Sequence, residues 1–336
     1  MSGLTWLHLS DWHQKGKDFD RKVVRDALIK DIKNRTDISQ DLEKIDFIVF
    51  SGDVAYSGKP LEYESAKEEL FDPVLNKCNL GPEKLFIVPG NHDLDRAKFV
   101  SLPDSLKRPL KSKTEANDWL FEGKKRSIAL KPLDAFTNFV SRYTQQENPD
   151  YANIRKWEID GKKIALIGID SAWMCGRKNS DGEVDDRHGV VVGEPQIYDP
   201  LEEISESNII IAVLHHPLDW LAYFEFSQIK GRLMNGGDFI LCGHQHKPGI
   251  EEIHSPLGYC VVIPAGACYD SRTHANAYNF VHLDFNSGKR VAFLRCWGGI
   301  TGERTSIHPK ETEVNMNSAA LEQLIIGHPS FAPDLT

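Results

Sequence analysis

Five short apolar runs, each closing on a polar cluster, constrain this chain more than any other feature. Leu4–Leu9 runs into Ser10-Asp11-Trp12-His13, and Ile45–Phe50 into Ser51-Gly52-Asp53. Leu85–Val88 runs into Pro89-Gly90-Asn91-His92-Asp93, Ile209–Leu214 into His215-His216-Pro217, and Phe239–Cys242 into Gly243-His244-Gln245-His246. Apolar runs of four to six residues bounded by Gly, Pro or Asp are the pattern of strands buried on both faces. Helix-compatible stretches lie between them. Residues 19–34 space Phe19, Val23, Ala27 and Ile32 for one face, and residues 61–78 do so with Tyr63, Ala66 and Leu70. Pro73 is expected to end or kink the second helix. The alternation predicts an α/β protein. In such sheets ligand sites gather beyond the carboxyl ends of the strands, where all five clusters sit.

With 336 residues the chain makes one large domain or two small ones. Its 40% apolar and 26% charged residues exclude overall disorder. The net charge of −9 argues against general polyanion binding, but it is unevenly spread. Residues 96–142 carry 11 Lys or Arg against 5 Asp or Glu, and the rest of the chain 29 against 44. This basic, helix-compatible segment falls between the third and fourth clusters and is expected to form a cap near the site, inserted at about 96–150. Residues 171–200, rich in Gly and Asp, read as a long loop. The tail, 303–336, is weakly patterned; Leu321, Leu324 and Ile325 suggest a short helix and a candidate segment for a protein partner. Six cysteines without a CxxC pair read as reduced, mostly buried thiols. The N-terminus has no basic region ahead of its short apolar run, and no stretch approaches the ~18 apolar residues of a membrane span. A cytoplasmic protein with no membrane partner is expected.

The clusters offer Asp11, His13, Asp53, Asn91, His92, His215, His244 and His246: oxygen and imidazole donors without a thiolate. That mix suits manganese, iron or zinc better than a structural Cys-zinc site or an oxygen-only magnesium or calcium site. On an extended segment residues i and i+2 point the same way, so both members of D-x-H and of H-x-H reach one side. So many donors exceed what one ion with an open position takes, and suit two ions sharing a carboxylate.

The order of Asp11-Trp12-His13, Gly52-Asp53 to Gly58, Gly90-Asn91-His92-Asp93, His215 and Gly243-His244-Gln245-His246 resembles the calcineurin-like metallophosphoesterase superfamily. The resemblance runs from residue 4 to about 285, closing with Ile263–Cys268 and the strand Tyr278–Phe285. It implies a four-layer α/β/β/α sandwich of two mixed sheets flanked by helices, within one catalytic domain over residues 1–302. It implies that Asp11, His13 and His246 hold a first ion, Asn91, His215 and His244 a second, and that Asp53 bridges them. Two such ions, Mn2+ first with Fe or Zn as alternatives, clamp a phosphate and lower the pKa of a water. His92 then stabilises the phosphoryl oxygens or protonates the leaving alkoxide, with Asp93 or Asp95 as candidates to orient it. His8 reads as a satisfied core histidine. His188 and His274 read as surface or packing residues, with contact to the site through their loops as the alternative. His216 is assigned with Arg96 to substrate binding, against an equally weighted packing role.

Protein phosphatases of this superfamily carry phosphate-gripping arginines in GDxVDRG and LRGNHE contexts. Here those segments read Gly52-Asp53-Val54-Ala55-Tyr56-Ser57-Gly58 and Val88-Pro89-Gly90-Asn91-His92-Asp93, with neither arginine, and Tyr56 stands where the phosphatases have the Asp that backs the histidine. The GNHD context, the strand end at His215-His216-Pro217 and Leu166–Ser171 resemble the phosphodiesterase and nuclease branch instead. Arg96, Lys98, Lys107, Arg108, Lys111, Lys113, Lys124, Lys125, Arg126 and Lys131 offer a path for a nucleic-acid backbone, and Trp119, Phe121 and Phe136 offer stacking surfaces. The expectation is a two-metal phosphodiesterase acting on nucleic acid. The alternatives are a small or cyclic nucleotide as substrate, or a metal-stabilised scaffold or partner-activated subunit.

Overall fold

The computed structural model describes residues 2–16, 19–145, 152–255, 258–270 and 275–297. The expected tail, the expected end of the cap at 146–150, and His274 lie outside the described residues.

The apolar runs form strands. In the first sheet β1 (Gly3–Leu9), β2 (Phe47–Phe50) and β3 (Leu85–Ile87) run parallel, and β10 (Asn276–Asp284) and β11 (Arg290–Trp297) add antiparallel on the far side of β1, in the order β11-β10-β1-β2-β3. The second sheet has the order β4-β5-β6-β7-β9-β8. There β5 (Lys162–Ile169), β6 (Ile209–Leu214), β7 (Phe239–Cys242) and β9 (Gly258–Pro264) are parallel, and β4 (Ala152–Ile159) and β8 (Glu251–Ser255) are antiparallel edges.

Side-chain alternation explains why these runs are apolar throughout. Leu4, Trp6, Phe47, Val49, Phe86, Ile164, Leu166, Ile211, Val213, Phe239, Leu241 and Val281 fill one cluster between the sheets. Their neighbours in sequence, such as Leu7, Ile48, Phe50, Ile87, Ile167, Ala212, Ile240 and Phe280, belong to the cluster under the helices. Each of β1, β2, β3, β6 and β7 therefore has two buried faces, and before their ends only Thr5 and His8 of β1 interrupt the apolar run. Trp6 lies stacked against Phe47 (5.9 Å) and edge-on to Phe239 (5.2 Å), joining the two sheets. Each such wholly buried aromatic contributes about 1.5–3 kcal/mol.

Helices complete the four layers. In α1 (Phe19–Lys33) the buried face is Arg21, Val24, Leu28 and Ile32, one residue round from the expected stripe, and Phe19 is 71% exposed. Arg21 displaces the stripe because its guanidinium lies over the rings of Trp12 and Tyr269. The next helix starts at Pro60 and runs to Cys78 as α2 (Pro60–Ala66), a π-helical turn (Lys67–Phe71) and α3 (Asp72–Cys78). Pro73 does not end it: the widened turn just before absorbs the proline's missing N–H and bulky ring. The expected cap divides. Its α4 (Lys113–Phe121) and α5 (Gly123–Ala129) are surface helices, and Asn117 of α4 bonds the 194–196 turn at Glu194. The following α6 (Asp134–Thr144) instead buries Phe136, Phe139, Val140 and Tyr143 in the main core, with Phe139 stacked on Tyr63 at 5.3 Å. It belongs to the sheet-covering layer. The second sheet is covered by α8 (Phe226–Gly236), with α7 (Tyr198–Glu203) beside it. All six cysteines are free thiols, five of them buried. No helix among the described residues is long and apolar enough to cross a membrane.

Candidate metal centre

The polar clusters leave the carboxyl ends of β1, β2, β3, β6 and β7, and the sandwich brings both sets of ends together. Ser51 O lies 2.8 Å from His215 Nδ1, and Asp11 Oδ2 accepts from His244 N at 3.0 Å, so the two sheets are tied at this end. The backbone here is not extended, contrary to the spacing argument. Asp11, His13, Asp53, His244 and His246 all have positive φ, between 48° and 68°. The members of D-x-H and H-x-H share a side because both adopt the left-handed conformation, at roughly 1–2 kcal/mol per residue. The first loop is held by backbone bonds alongside the second: Asp11 N to Gly52 O (3.0 Å), Trp12 N and His13 N to Asp53 O (2.9 and 3.0 Å). Arg21 adds bonds to the carbonyls of Trp12 (3.0 Å) and His13 (2.8 Å).

Two glycines make room. A Cβ on Gly52, whose φ is +104°, would sit 2.5 Å from His215 Nδ1, and one on Gly90 would collide with the Asp53 carboxylate.

Seven donors converge in two overlapping groups. Asp11 Oδ1, His13 Nε2 and His246 Nε2 are separated by 3.7, 3.3 and 3.3 Å. His215 Nε2 lies 3.3 Å from Asp53 Oδ2, 3.2 Å from Asn91 Oδ1 and 3.2 Å from His244 Nδ1. Asp53 Oδ2 is also 3.8 Å from His13 Nδ1, which puts its carboxylate between the groups. Donor atoms that share one ion at about 2.1 Å stand at such separations from one another. Asp11 Oδ1 is buried with no hydrogen-bond partner, as an atom meant for a cation is. The residues therefore fit two divalent ions.

Electrostatics agree. Burial opposes charge on His215, but the Asp53 carboxylate outweighs it and raises the ring to about 9. Burial and His215 together lower His244 to about 4. Asp53 would be raised by burial, yet His215 and His13 hold it well below the usual carboxylate range.

The neighbours differ from expectation in three places. His92 is oriented by neither Asp93 nor Asp95. Its Nδ1 lies 3.0 Å from the backbone carbonyl of Tyr56, and its ring stacks on the Tyr56 ring at 5.2 Å, while Lys15 Nζ lies 3.7 Å from that ring's centre. Asp93 is wholly buried and instead accepts from Asp53 N (3.0 Å), Val54 N (3.3 Å), Ala55 N (2.9 Å) and Gly90 N (2.9 Å), fixing the loop that carries Asp53. Asp95 pairs with Lys59 at 2.5 Å. His216, assigned to substrate binding, is wholly buried between Ser171 Oγ (2.9 Å) and Cys175 Sγ (3.6 Å), with its ring 4.5 Å from that of His244. It supports the centre from behind. His8 is only half satisfied: Nε2 meets Ser51 Oγ at 2.9 Å and Nδ1 has no partner.

Arg96 is exposed, on the wall of a cleft of about 360 Å³ that also takes in Tyr56, Lys59, Asn91, His92 and Asp95. Most of the other cap cations are neutralised. Lys98 pairs with Asp134 (3.0 Å), Lys107 with Asp104 (3.0 Å), Arg108 with Glu115 (3.5 Å), Lys113 with Glu194 (3.4 Å), and Lys125 with Asp118 (2.8 Å). Of the aromatic residues, Phe136 is core, Trp119 is half-buried against it, and Phe121 is 65% exposed.

Sequence reasoning missed Trp220, whose ring meets His244 edge-on at 4.2 Å, and the exposed Tyr223, which stacks on His188 at 4.8 Å. Nothing in the local pattern marks either.

The family model for calcineurin-like phosphoesterase matches residues 4–248. The chain is 22% identical over 255 residues to the uncharacterized metallophosphoesterase-like protein YydB of Bacillus subtilis (strain 168), covering 72% of this chain and 48% of YydB. It thus spans about half the length of that curated relative. Among solved structures it is similar to GAP50, the anchor in the inner membrane complex of Plasmodium (TM-score 0.46, 14% identity, 98% of this chain and 96% of that one). It is also similar to the sulfate thiohydrolase SoxB of Thermus thermophilus (0.44, 12%, 97% and 60%) and to zinc-complexed Vps29 of Entamoeba histolytica (0.37, 12%, 93% and 100%).

Proposed function

From the premise that the chain belongs to the calcineurin-like phosphoesterase family, we propose that it is a two-metal phosphodiesterase acting on nucleotide-sized or terminal pieces of nucleic acid. Asp11, His13 and His246 would hold one ion and Asn91, His215 and His244 the other, with Asp53 placed to serve both; manganese leads, with iron or zinc as alternatives. Two ions bound there supply Lewis acidity toward phosphoryl oxygens and lower the pKa of a water.

The chain's own residues do the rest. The Tyr56 carbonyl fixes the proton of His92 on Nδ1, and leaves Nε2 as the ring atom that serves the cleft. In its protonated form Nε2–H donates to a phosphoryl oxygen or passes its proton to the leaving alkoxide. The His92 amide donates to Asp53 Oδ1 at 2.8 Å, coupling the position of the acid to that of the bridging carboxylate.

One observation favours a diester over a monoester: neither Gly52–Gly58 nor Val88–Asp93 contains an arginine. A monoester dianion carries an extra charge that such sites meet with guanidinium groups, and a diester monoanion does not. A second reading, a small cyclic nucleotide as substrate, draws support from the ion-paired cap, which leaves little continuous positive track for a long strand.

The test is hydrolysis, with Mn2+, of bis(p-nitrophenyl) phosphate against p-nitrophenyl phosphate, followed by labelled DNA and RNA against cyclic nucleotides. Diester turnover well above monoester turnover supports the proposal. Monoester preference, or no turnover in any divalent metal, overturns it.

A further inference from the structure

Arg96 differs from the ion-paired cations of the cap and from Lys59 on its own cleft wall. It makes no hydrogen bond and has no carboxylate within 4.0 Å among the described residues, whereas Lys98, Lys107, Arg108, Lys113 and Lys125 each have a carboxylate partner. Arg142 is likewise paired with Glu64, and Arg126 donates to Leu120 O at 2.9 Å. On the same cleft wall Lys59 is tied to Asp95. Asp186 is an electrostatic neighbour of Arg96, but both of its oxygens accept from Gly176 N, at 3.0 and 3.1 Å. The Arg96 guanidinium passes close by the same Gly176, whose φ is +75° and whose missing Cβ would stand 3.2 Å from Arg96 Nε. The residue's backbone is fixed as well, since Asp95 Oδ1 caps the turn at Ala97 N (3.1 Å). A positioned guanidinium with five free donors in the wall of a substrate cleft is a site for an oxyanion.

The cleft has Asn91 and His92 among its lining residues and Arg96 among the others, within a volume of the size that holds a small ligand. A ligand with one phosphate at the metal centre, beside His92, can reach Arg96 with a second group along the same cleft. We propose that Arg96 anchors a second phosphate carried by the leaving alcohol, so that the substrate class is a linear chain with at least two phosphates and not a cyclic nucleotide, which has one. This rests on the phosphodiesterase reading for the chemistry, but not for the binding. In the reaction, water oxygen bonds to phosphorus, the P–O bond to the leaving alcohol breaks, and that oxygen takes up a proton. The second phosphate departs unchanged on the alcohol.

The experiment is calorimetric binding to the full chain with Mn2+, using thymidine 3′,5′-bisphosphate and thymidine 5′-monophosphate as probes. Wild type, Arg96→Ala and Arg96→Lys are compared, with circular dichroism to verify folding at this exposed position. The expected result is at least tenfold tighter binding of the bisphosphate by wild type. That ratio falls to within twofold in Arg96→Ala and recovers in part in Arg96→Lys. A ratio near one in wild type, or one that survives Arg96→Ala, overturns the proposal. Hydrolysis of bis(p-nitrophenyl) phosphate by wild type is measured in parallel. Turnover without the binding ratio removes the anchor and keeps the phosphodiesterase. The binding ratio without turnover in any metal keeps the anchor and removes the phosphodiesterase.

Discussion

His92 Nδ1 lies 3.0 Å from the backbone carbonyl oxygen of Tyr56, so a peptide group, and not a carboxylate, orients the one histidine of the GNHD motif that is free of the proposed ion sites. A neutral acceptor fixes the tautomer without adding negative charge beside a phosphate. His92→Ala should lower kcat on a diester by about 10²–10⁴-fold, the usual range for a positioned acid, while metal content stays at wild-type level. Tyr56→Phe should change little, because the carbonyl and the ring remain. Tyr56→Gly keeps the carbonyl but loses the stack, and should cost about tenfold in kcat. Equal losses in Phe and Gly variants would point to the phenol hydroxyl instead.

Asp53 is the donor shared by both groups, and metal content should show it. Wild type should retain two ions per chain after dialysis, measured by plasma emission. Asp53→Asn should retain fewer than one, because a neutral amide replaces the bridging charge between two cations. Two ions bound in Asp53→Asn would remove the bridging role.

Gly90→Ala tests the close approach of the third loop to the second. The added methyl meets Asp53 N at 2.5 Å and Cγ at 2.7 Å, so destabilisation of about 1–3 kcal/mol by urea unfolding is expected, together with loss of metal. Gly231→Ala in α8, where nothing lies within 4 Å, is the control. It should stabilise by up to about 1 kcal/mol through helix propensity.

His8 predicts a pH dependence of the metal-free protein. Burial lowers its pKa from 6.5 to about 3, so the unfolded chain binds a proton that the folded chain refuses. The stability tied to neutral His8 is fully present above pH 6.5 and is lost as the pH falls toward 3. Between pH 7 and 5 this amounts to about 2 kcal/mol. Urea unfolding in EDTA should show wild type losing about that much more stability over the interval than His8→Gln, which keeps a partner for Ser51. Equal losses would mean that the ring is protonated in the fold.

The paired cap predicts a shallow salt dependence. Single-strand binding changes with salt by about 0.7 of a log unit per phosphate neutralised. With Arg96, Lys111, Lys124 and Lys131 outside the ion pairs, the slope of log K against log salt should be no steeper than about −3. A track formed by all ten cap cations would give about −7.

Strand positions and the order of the donors are legible in the chain's local pattern. A strand buried on both faces admits few polar groups, with Thr5 and His8 the exceptions in β1, so a polar cluster marks its end, and Asp11, Asp53, Asn91, His215 and His244 all stand just past such ends. What the sequence left open depends on partners far along the chain. The left-handed backbone at Asp11 and His246, the use of Asp93 to hold residues 53–55, and the turn of Tyr56 O toward His92 follow from how loops of two sheets meet. The positive charge of residues 96–142 is legible in the sequence, yet Lys113 meets Glu194 and Arg142 meets Glu64 only after folding. Periodicity reports burial along one strand or helix, because neighbours in sequence fix it. Tertiary structure alone decides which charges cancel and which, such as Arg96 on the cleft wall, stay outside the ion pairs, because those pairs form across elements that the local pattern does not connect.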